Sequence, residues 1–176
     1  MAIVHTSATI RPTKSELLET ELGGPGELLG SYRFDDPAGE VGVEAFVVRR
    51  DGGLRHVVLT YRGAPLPSGD TRLVSTMEHS VLGPRGVYDG TTDPVAIDCF
   101  RRAVLGEQDQ AALEMWDDGR AIGVREPTVH LTVRARAEIS EHAALRIERD
   151  LAGCADGPGL VASWAGGEAV VARLEG

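Results

Sequence analysis

The stretch Val41-Gly42-Val43-Glu44-Ala45-Phe46-Val47-Val48-Arg49-Arg50-Asp51-Gly52-Gly53-Leu54-Arg55-His56-Val57-Val58-Leu59-Thr60-Tyr61 decides the fold class. Val41, Val43, Ala45 and Val47 recur at every second position, the period of a strand with one buried face. Asp51-Gly52 is hairpin chemistry, because the central residues of the tightest antiparallel turns need positive φ. His56 to Tyr61 then supplies the return strand, rich in β-branched residues. Two paired antiparallel strands anchor the chain, and the flanking segments are read outward from them.

Upstream, Ala2 to Ile10 reads as a strand, and Thr13-Lys14-Ser15-Glu16 is a capping box that opens a helix running to about Leu22. Gly23-Gly24-Pro25-Gly26 breaks it, and Glu27 to Tyr32 forms the next strand. Asp35-Asp36-Pro37-Ala38-Gly39 is turn chemistry, in which an Asp carboxylate accepts from nearby backbone N–H groups. Downstream, Gly63 to Gly69 is a loop, and Leu73 to Leu82 with Gly86 to Tyr88 adds two strands. Thr92-Asp93-Pro94 starts a helix, with Asp or Thr as its cap and Val95, Ile97, Phe100 and Val104 as its apolar face, and Gly106 interrupts it. A second helical stretch is expected from Glu107 to Trp116, ending in the turn Asp117-Asp118-Gly119. Thr128 to Glu138, Ala144 to Leu151, Leu160 to Trp164 and Ala169 to Leu174 then read as an antiparallel meander that completes the sheet begun by the first half. The expectation is one α+β domain over residues 1–176, with two abutting subdomains divided near Gly119 as the alternative.

Composition narrows the function classes. The 176 residues carry 18 Lys+Arg against 27 Asp+Glu, a formal charge of -9, with 42% hydrophobic residues, which excludes a disordered tail or a fibrous repeat. A charge of that sign, with no cationic cluster longer than Arg49-Arg50 or Arg101-Arg102, argues against nucleic acid as a partner. No apolar run reaches the ~20 residues of a membrane span, and the opening MAIVHTSATI lacks a basic region followed by an apolar one, so a cytoplasmic location without membrane contact is expected. Cys99 and Cys154 form no CxxC pattern and read as free thiols. The chain has no Asn, and Lys14 is its one lysine, a usage typical of a GC-rich genome.

Catalytic signatures are absent from these residues. There is no GxxxxGK[ST] loop, no histidine is followed two residues later by Asp, and without Asn the second metal ligand of a protein-kinase-like site is missing. No GxSxG elbow occurs, and Ser80 beside His79 points to the opposite face of a strand, so with Asp89 it makes a poor triad. Metal spacings such as HxxxH or HExxH are missing too, and no cofactor is expected. What stands out is a Tyr/Arg-rich set, Tyr32, Arg33, Tyr61, Arg62, Arg85 and Tyr88. Such residues line sugar-facing or protein-facing surfaces and also serve sheets structurally, and the sequence leaves both readings open.

Several longer motifs resemble a known family. His5-Thr6-Ser7-Ala8-Thr9-Ile10-Arg11-Pro12-Thr13-Lys14, Leu29-Gly30-Ser31-Tyr32-Arg33-Phe34-Asp35-Asp36-Pro37-Ala38-Gly39-Glu40-Val41-Gly42, Leu59-Thr60-Tyr61-Arg62-Gly63-Ala64-Pro65-Leu66, Met77-Glu78-His79-Ser80-Val81-Leu82-Gly83 and Val87-Tyr88-Asp89-Gly90 occur in this order. Together they resemble the N-terminal cap domain of actinobacterial maltokinases over about residues 1–105. The resemblance implies a curved, mainly antiparallel β-sheet with a few helices packed on one side, here extended by the C-terminal β-meander of residues 106–176, for which no parent is recognised. In that family the cap precedes a kinase-like body that phosphorylates maltose on a route from trehalose to glycogen. The body's catalytic and nucleotide residues have no counterpart here, so no catalytic role carries over.

The expectation is therefore a stand-alone, non-catalytic interaction or regulatory module linked to maltose, trehalose and α-glucan metabolism, serving a kinase or glucan enzyme in trans. Its expected surface is Tyr32, Arg33, Asp35, Asp36, Tyr61, Arg62, Glu78, His79, Arg85, Tyr88 and Asp89. A binder of a sugar or apolar metabolite, using a pocket on the curved sheet, is the alternative. A homodimer through free sheet edges is a further expectation.

Overall fold

A computed structural model of the chain describes residues 2–5, 7–66, 71–117, 119–134, 143–154 and 156–175. In the first part lie β1 (Ala2–His5), β2 (Ile10–Arg11), α1 (Lys14–Leu22), β3 (Glu27–Phe34), β4 (Val41–Arg50), β5 (Gly53–Arg62), β6 (Leu73–His79), β7 (Gly83–Asp89) and α2 (Pro94–Leu105). There follow β8 (Leu113–Asp117), β9 (Arg120–Arg125), β10 (Val129–Arg134), β11 (Ala144–Ile147), β12 (Gly159–Trp164) and β13 (Gly167–Glu175).

Local chemistry sets the element ends where the sequence says it should. Thr13 Oγ1 accepts from the Glu16 N–H at 3.3 Å while Glu16 Oε2 accepts from the Thr13 N–H at 2.6 Å, closing the capping box of α1. Asp93 caps α2 by accepting from the Val95 N–H at 2.9 Å, and Gly106, at φ 72°, ends it. Asp51 and Gly52 have φ of 50° and 76°, the pair of left-handed residues that joins β4 tightly to β5.

Six strands form a curved antiparallel sheet in the order β2-β6-β7-β5-β4-β3. In β4, next to the edge strand β3, alternation is overlaid by a continuous apolar run, so both faces are buried. Val43, Ala45 and Val47 face one cluster with Tyr32, Phe34 and Val58, closed by Ala96, Phe100 and Val104 of α2 and by Leu160, Ala162 and Val171 of the second sheet. Phe46 and Val48 face the other cluster with Val57, Leu59, Met77 and Val87, covered by Leu17 and Leu18 of α1. The α+β class and the curved antiparallel sheet are as expected. The helices, however, lie on opposite faces rather than one, because a strand that is apolar on both sides needs a cover on both.

Three expectations for the C-terminal part are corrected. The stretch 107–116 is not a helix: Leu113–Asp117 is β8, paired antiparallel with β9 and parallel with β1. After Gly106 the chain spends its polar groups on long-range partners instead, Ala111 N–H on the Arg33 carbonyl and Gln110 on Val129 and Leu131 of β10. Tertiary pairing overrides helix propensity there. Nor does the tail complete the first sheet, since β10 to β13 make their own antiparallel sheet on the shared core. Its order is β10-β12-β13-β11, not a meander, because the most apolar strands, β12 and β13, take the centre and push β10 and β11 to the edges. The expected strand over 128–138 is seen as β10, and its residues 135–138 lie outside the described residues.

The two sheets approach closely at Gly30 of β3, where a Cβ would lie 2.7 Å from Val129 Cγ2 and 3.0 Å from the Thr128 carbonyl oxygen. Thr128 Oγ1 also accepts from the Ser31 N–H at 2.9 Å. The segment after β11 runs beside β5, with His56 N–H donating to the Arg149 carbonyl and Leu151 N–H to the Leu54 carbonyl.

Candidate functional site

The residues expected to form one surface are distributed over both faces of the curved sheet and its margins. Tyr32 is 1% exposed and belongs to the core, not to a surface. Its hydroxyl lies 2.8 Å from His56 Nε2, and His56 Nδ1 lies 2.8 Å from the Glu148 carbonyl oxygen. A carbonyl can only accept, so Nδ1 carries the proton and Nε2 accepts from the phenol. Burial holds the His56 imidazole down at about 4, with Arg149 adding to the effect and the Glu148 bond opposing it. The same burial pushes the Tyr32 phenol well above its ordinary value.

Arg33 belongs to a charged cluster on the opposite face. Lys14 Nζ donates to Glu44 Oε1 at 2.6 Å and Arg33 Nη2 donates to Glu44 Oε2 at 3.1 Å. Burial alone would raise the Glu44 carboxyl, but the two cations overcome it and hold the group down at about 2. Tyr61 stands over Gly42 beside this cluster, and burial, with Glu44 adding to the effect, pushes its phenol well above the ordinary value.

Arg62 does structural work. Its Nε and Nη2 grip Asp93 at 2.7 and 2.5 Å, and Thr60 Oγ1 donates to the same carboxylate at 2.6 Å. Asp93 is fully buried and caps α2, so this fork fastens the helix to β5. Burial raises the Asp93 carboxyl, and the bonds from Arg62 and Thr60 bring it below the ordinary value. Asp89 is likewise buried rather than displayed: it accepts from the Thr91 N–H at 3.0 Å and from Arg149, which reaches Glu21 of α1 as well. Arg72 binds Glu21 at 2.5 Å, so Glu21 and Asp89 form a carboxylate pair under two arginines.

The remaining expected residues also divide. Asp36 accepts from the N–H groups of Ala38, Glu40 and Val41, as its turn chemistry predicts, and the Asp35 carbonyl accepts from Gln108. His79 Nδ1 accepts from the Val81 and Leu82 N–H groups and shapes the turn between β6 and β7. Tyr88 is buried, its hydroxyl accepting from the Leu66 N–H at 3.3 Å. Glu78 is the exposed member of the set, while Arg85 is half-buried like Arg33, Asp35, Asp36, Tyr61, Arg62 and His79. Tyr32, Tyr88 and Asp89 therefore cannot form the expected surface, because sheet interiors use the same residue types as interfaces do.

One family model matches part of the chain. Residues 23–93 match the maltokinase N-terminal cap domain. The cap match runs from the end of α1 to the cap of α2 and so contains β3 to β7, the core of the curved sheet. It lies within the resemblance read over 1–105 and leaves α1, α2 and the second sheet outside. In a maltokinase the cap is a non-catalytic part. No curated protein and no solved structure matches the chain.

The sequence reading gave Asp93 its cap but not its ion pair with Arg62, and it assigned no partner to Lys14, Glu44, His56 or Arg149, which carry the other buried polar networks. Glu44 had a signal: a lone carboxylate inside Val43-Glu44-Ala45-Phe46-Val47-Val48 demands a cation. Among the described residues no group of three metal-ligating side chains converges. An open cleft of about 450 Å³ lies against α2 and β11, lined by Ile97, Leu145, Arg146 and Ile147 among others, not on the curved sheet. No described helix is long and apolar enough to cross a membrane.

Proposed function

We propose that this chain is a non-catalytic module related to the maltokinase cap, which binds and positions or regulates an enzyme of maltose, trehalose or α-glucan metabolism carried on another chain. The observation that carries this reading is the cap match over residues 23–93. The use of the chain's titratable groups supports it: His56, Asp93, Glu44 and Asp89 are committed to internal pairs and do not converge on an open site. The partner-facing surface on this reading includes the exposed Glu78 and the half-buried Arg85, and excludes the buried Tyr32.

The test is co-purification of the tagged chain with recombinant enzymes of these classes, using the charge reversals Glu78→Lys, at an exposed position, and Arg85→Glu, at a half-buried one, as controls. A stoichiometric complex that these variants weaken supports the proposal. Binding to none of these enzymes overturns it. The cleft at α2 and β11 favours a second reading, a binder of small ligands, for which a thermal shift with maltose, trehalose or acyl compounds is the corresponding signal.

A further inference from the structure

We infer that the chain forms a homodimer in which β9 pairs antiparallel with β9 of a second copy, across a two-fold axis at Gly123. The sheet β1-β8-β9 is the part of the fold that lacks a cover: among the described residues, none of β8 or β9 belongs to either core cluster. β9 is an edge strand of this sheet, and every residue of Arg120–Arg125 is exposed. Ile122 and Val124, at 61% and 63%, are the most exposed large hydrophobic residues among the described ones. An exposed apolar edge with free N–H and C=O groups is a template for another strand.

The occupant follows from the sequence of that edge. Arg120-Ala121-Ile122-Gly123-Val124-Arg125-Glu126 is complementary to itself when run antiparallel about Gly123. Arg120 then lies opposite the partner's Glu126, and Glu126 opposite the partner's Arg120, so one axis makes two ion pairs. Both residues are exposed and make no ion pair among the described residues. Ile122 lies opposite the partner's Val124. The β8 ladder passes from Trp116 opposite Ala121 to Met115 opposite Gly123, so Ile122 is the residue of β9 that β8 leaves without a partner. Gly123 meets itself on the axis, where a Cβ would find nothing within 4 Å. The turn at Gly119 and Pro127, which has no N–H to donate, close the two ends of the ladder. Neighbouring registers are worse. An axis between Ile122 and Gly123 sets Arg120 against Arg125 twice, and like charges directly opposite are destabilising. An axis between Gly123 and Val124 sets Ile122 against Arg125, and an axis at Ile122 sets Arg120 against Val124, so neither makes an ion pair within the strand.

A bulged strand is strongly twisted and its ladder short, so a weak dimer is expected, with a dissociation constant of roughly 10–100 μM. The test needs no enzyme, so its outcome is separate from that of the interaction reading. Sedimentation equilibrium of the full chain from about 1 μM to about 1 mM is compared with that of Arg120→Glu, of Glu126→Arg, of the double variant carrying both, and of Ile122→Lys. These positions are all exposed, and the melting temperature at the lowest concentration checks that each variant folds. Each single reversal turns two attractive pairs into repulsive ones and should weaken dimerisation roughly tenfold, while the double variant, which exchanges the charges, should return to within about threefold of the native chain. Ile122→Lys should leave a monomer. A native chain that stays monomeric at about 1 mM overturns the proposal. A dimer that the single reversals leave intact, or that the double variant does not restore, overturns it too and places the contact on another edge. A monomeric chain whose binding to an enzyme is weakened by the same variants also overturns it and gives β9 to a strand of that enzyme.

Discussion

Mild acid should destabilise this protein through His56. The imidazole is 2% exposed, stacked on Tyr32 with ring centroids 5.9 Å apart and edge-on to Phe100 at the same distance. The groups facing it are the Tyr32 hydroxyl, the Glu148 carbonyl and, electrostatically, Arg149, none of which is an anion that would favour the charged ring. Its folded pKa is about 4 against an ordinary 6.5. Between those values the unfolded chain binds a proton that the folded chain refuses, so the stabilisation is present above 6.5 and is lost as pH falls towards 4. The gap corresponds to about 3 kcal/mol in all, of which about 2 kcal/mol falls between pH 7.5 and pH 5. Glu44, with a folded pKa of about 2 against 4.5, loses its contribution mainly below pH 4.5, so the upper interval isolates the histidine. Urea denaturation of the native chain and of His56→Gln at pH 7.5, 6.5 and 5 reads the difference. The native chain should lose about 2 kcal/mol more than the variant over that range. Parallel losses in the two proteins would refute the assignment of the proton to His56.

Two substitutions test how the curved sheet is joined to its covers. Arg62→Ala strips the fork from a fully buried Asp93 and should cost about 3 kcal/mol in denaturant unfolding, with Arg62→Lys restoring only part because an ammonium cannot make the paired bonds. Gly30→Ala places a methyl 2.7 Å from Val129 Cγ2 and against the Thr128 carbonyl, and should lower stability by about 1–3 kcal/mol, while the exposed Gly39→Ala, which meets nothing but sits at φ 72°, shows the cost of strain alone.

Legibility in the sequence followed the range of the interactions. The β4–β5 hairpin, the capping box at Thr13 and the cap at Asp93 were readable because each is decided within a few residues, by turn or cap chemistry. The strand β8 was not, since Leu113–Asp117 owes its conformation to pairing with β1 at the far end of the chain. The order of the second sheet was hidden for the same reason: alternation marks each strand but does not say which will occupy the centre. In the candidate surface, Asp36 was readable as an Asx turn from its neighbours, whereas the roles of Arg62 and Asp89 depended on Asp93, Arg149 and Glu21, partners no local pattern identifies.

This pattern bears on where function should be sought. The motifs that carry the family resemblance turn out to hold turns, helix caps and buried pairs: Asp36 closes the loop before β4, Arg62 holds the cap of α2, His79 shapes the β6–β7 turn and Asp89 anchors Arg149. A match built on such residues recognises a scaffold, and replacing Arg62 or Tyr88 would test folding before it tested binding. The charged cluster crosses the edge of that match: Lys14 sits just before the matched region, and the fold pairs it with Glu44 inside it. Charge reversal at the exposed Glu78 is therefore the substitution that tests binding without first disturbing how the sheet is built.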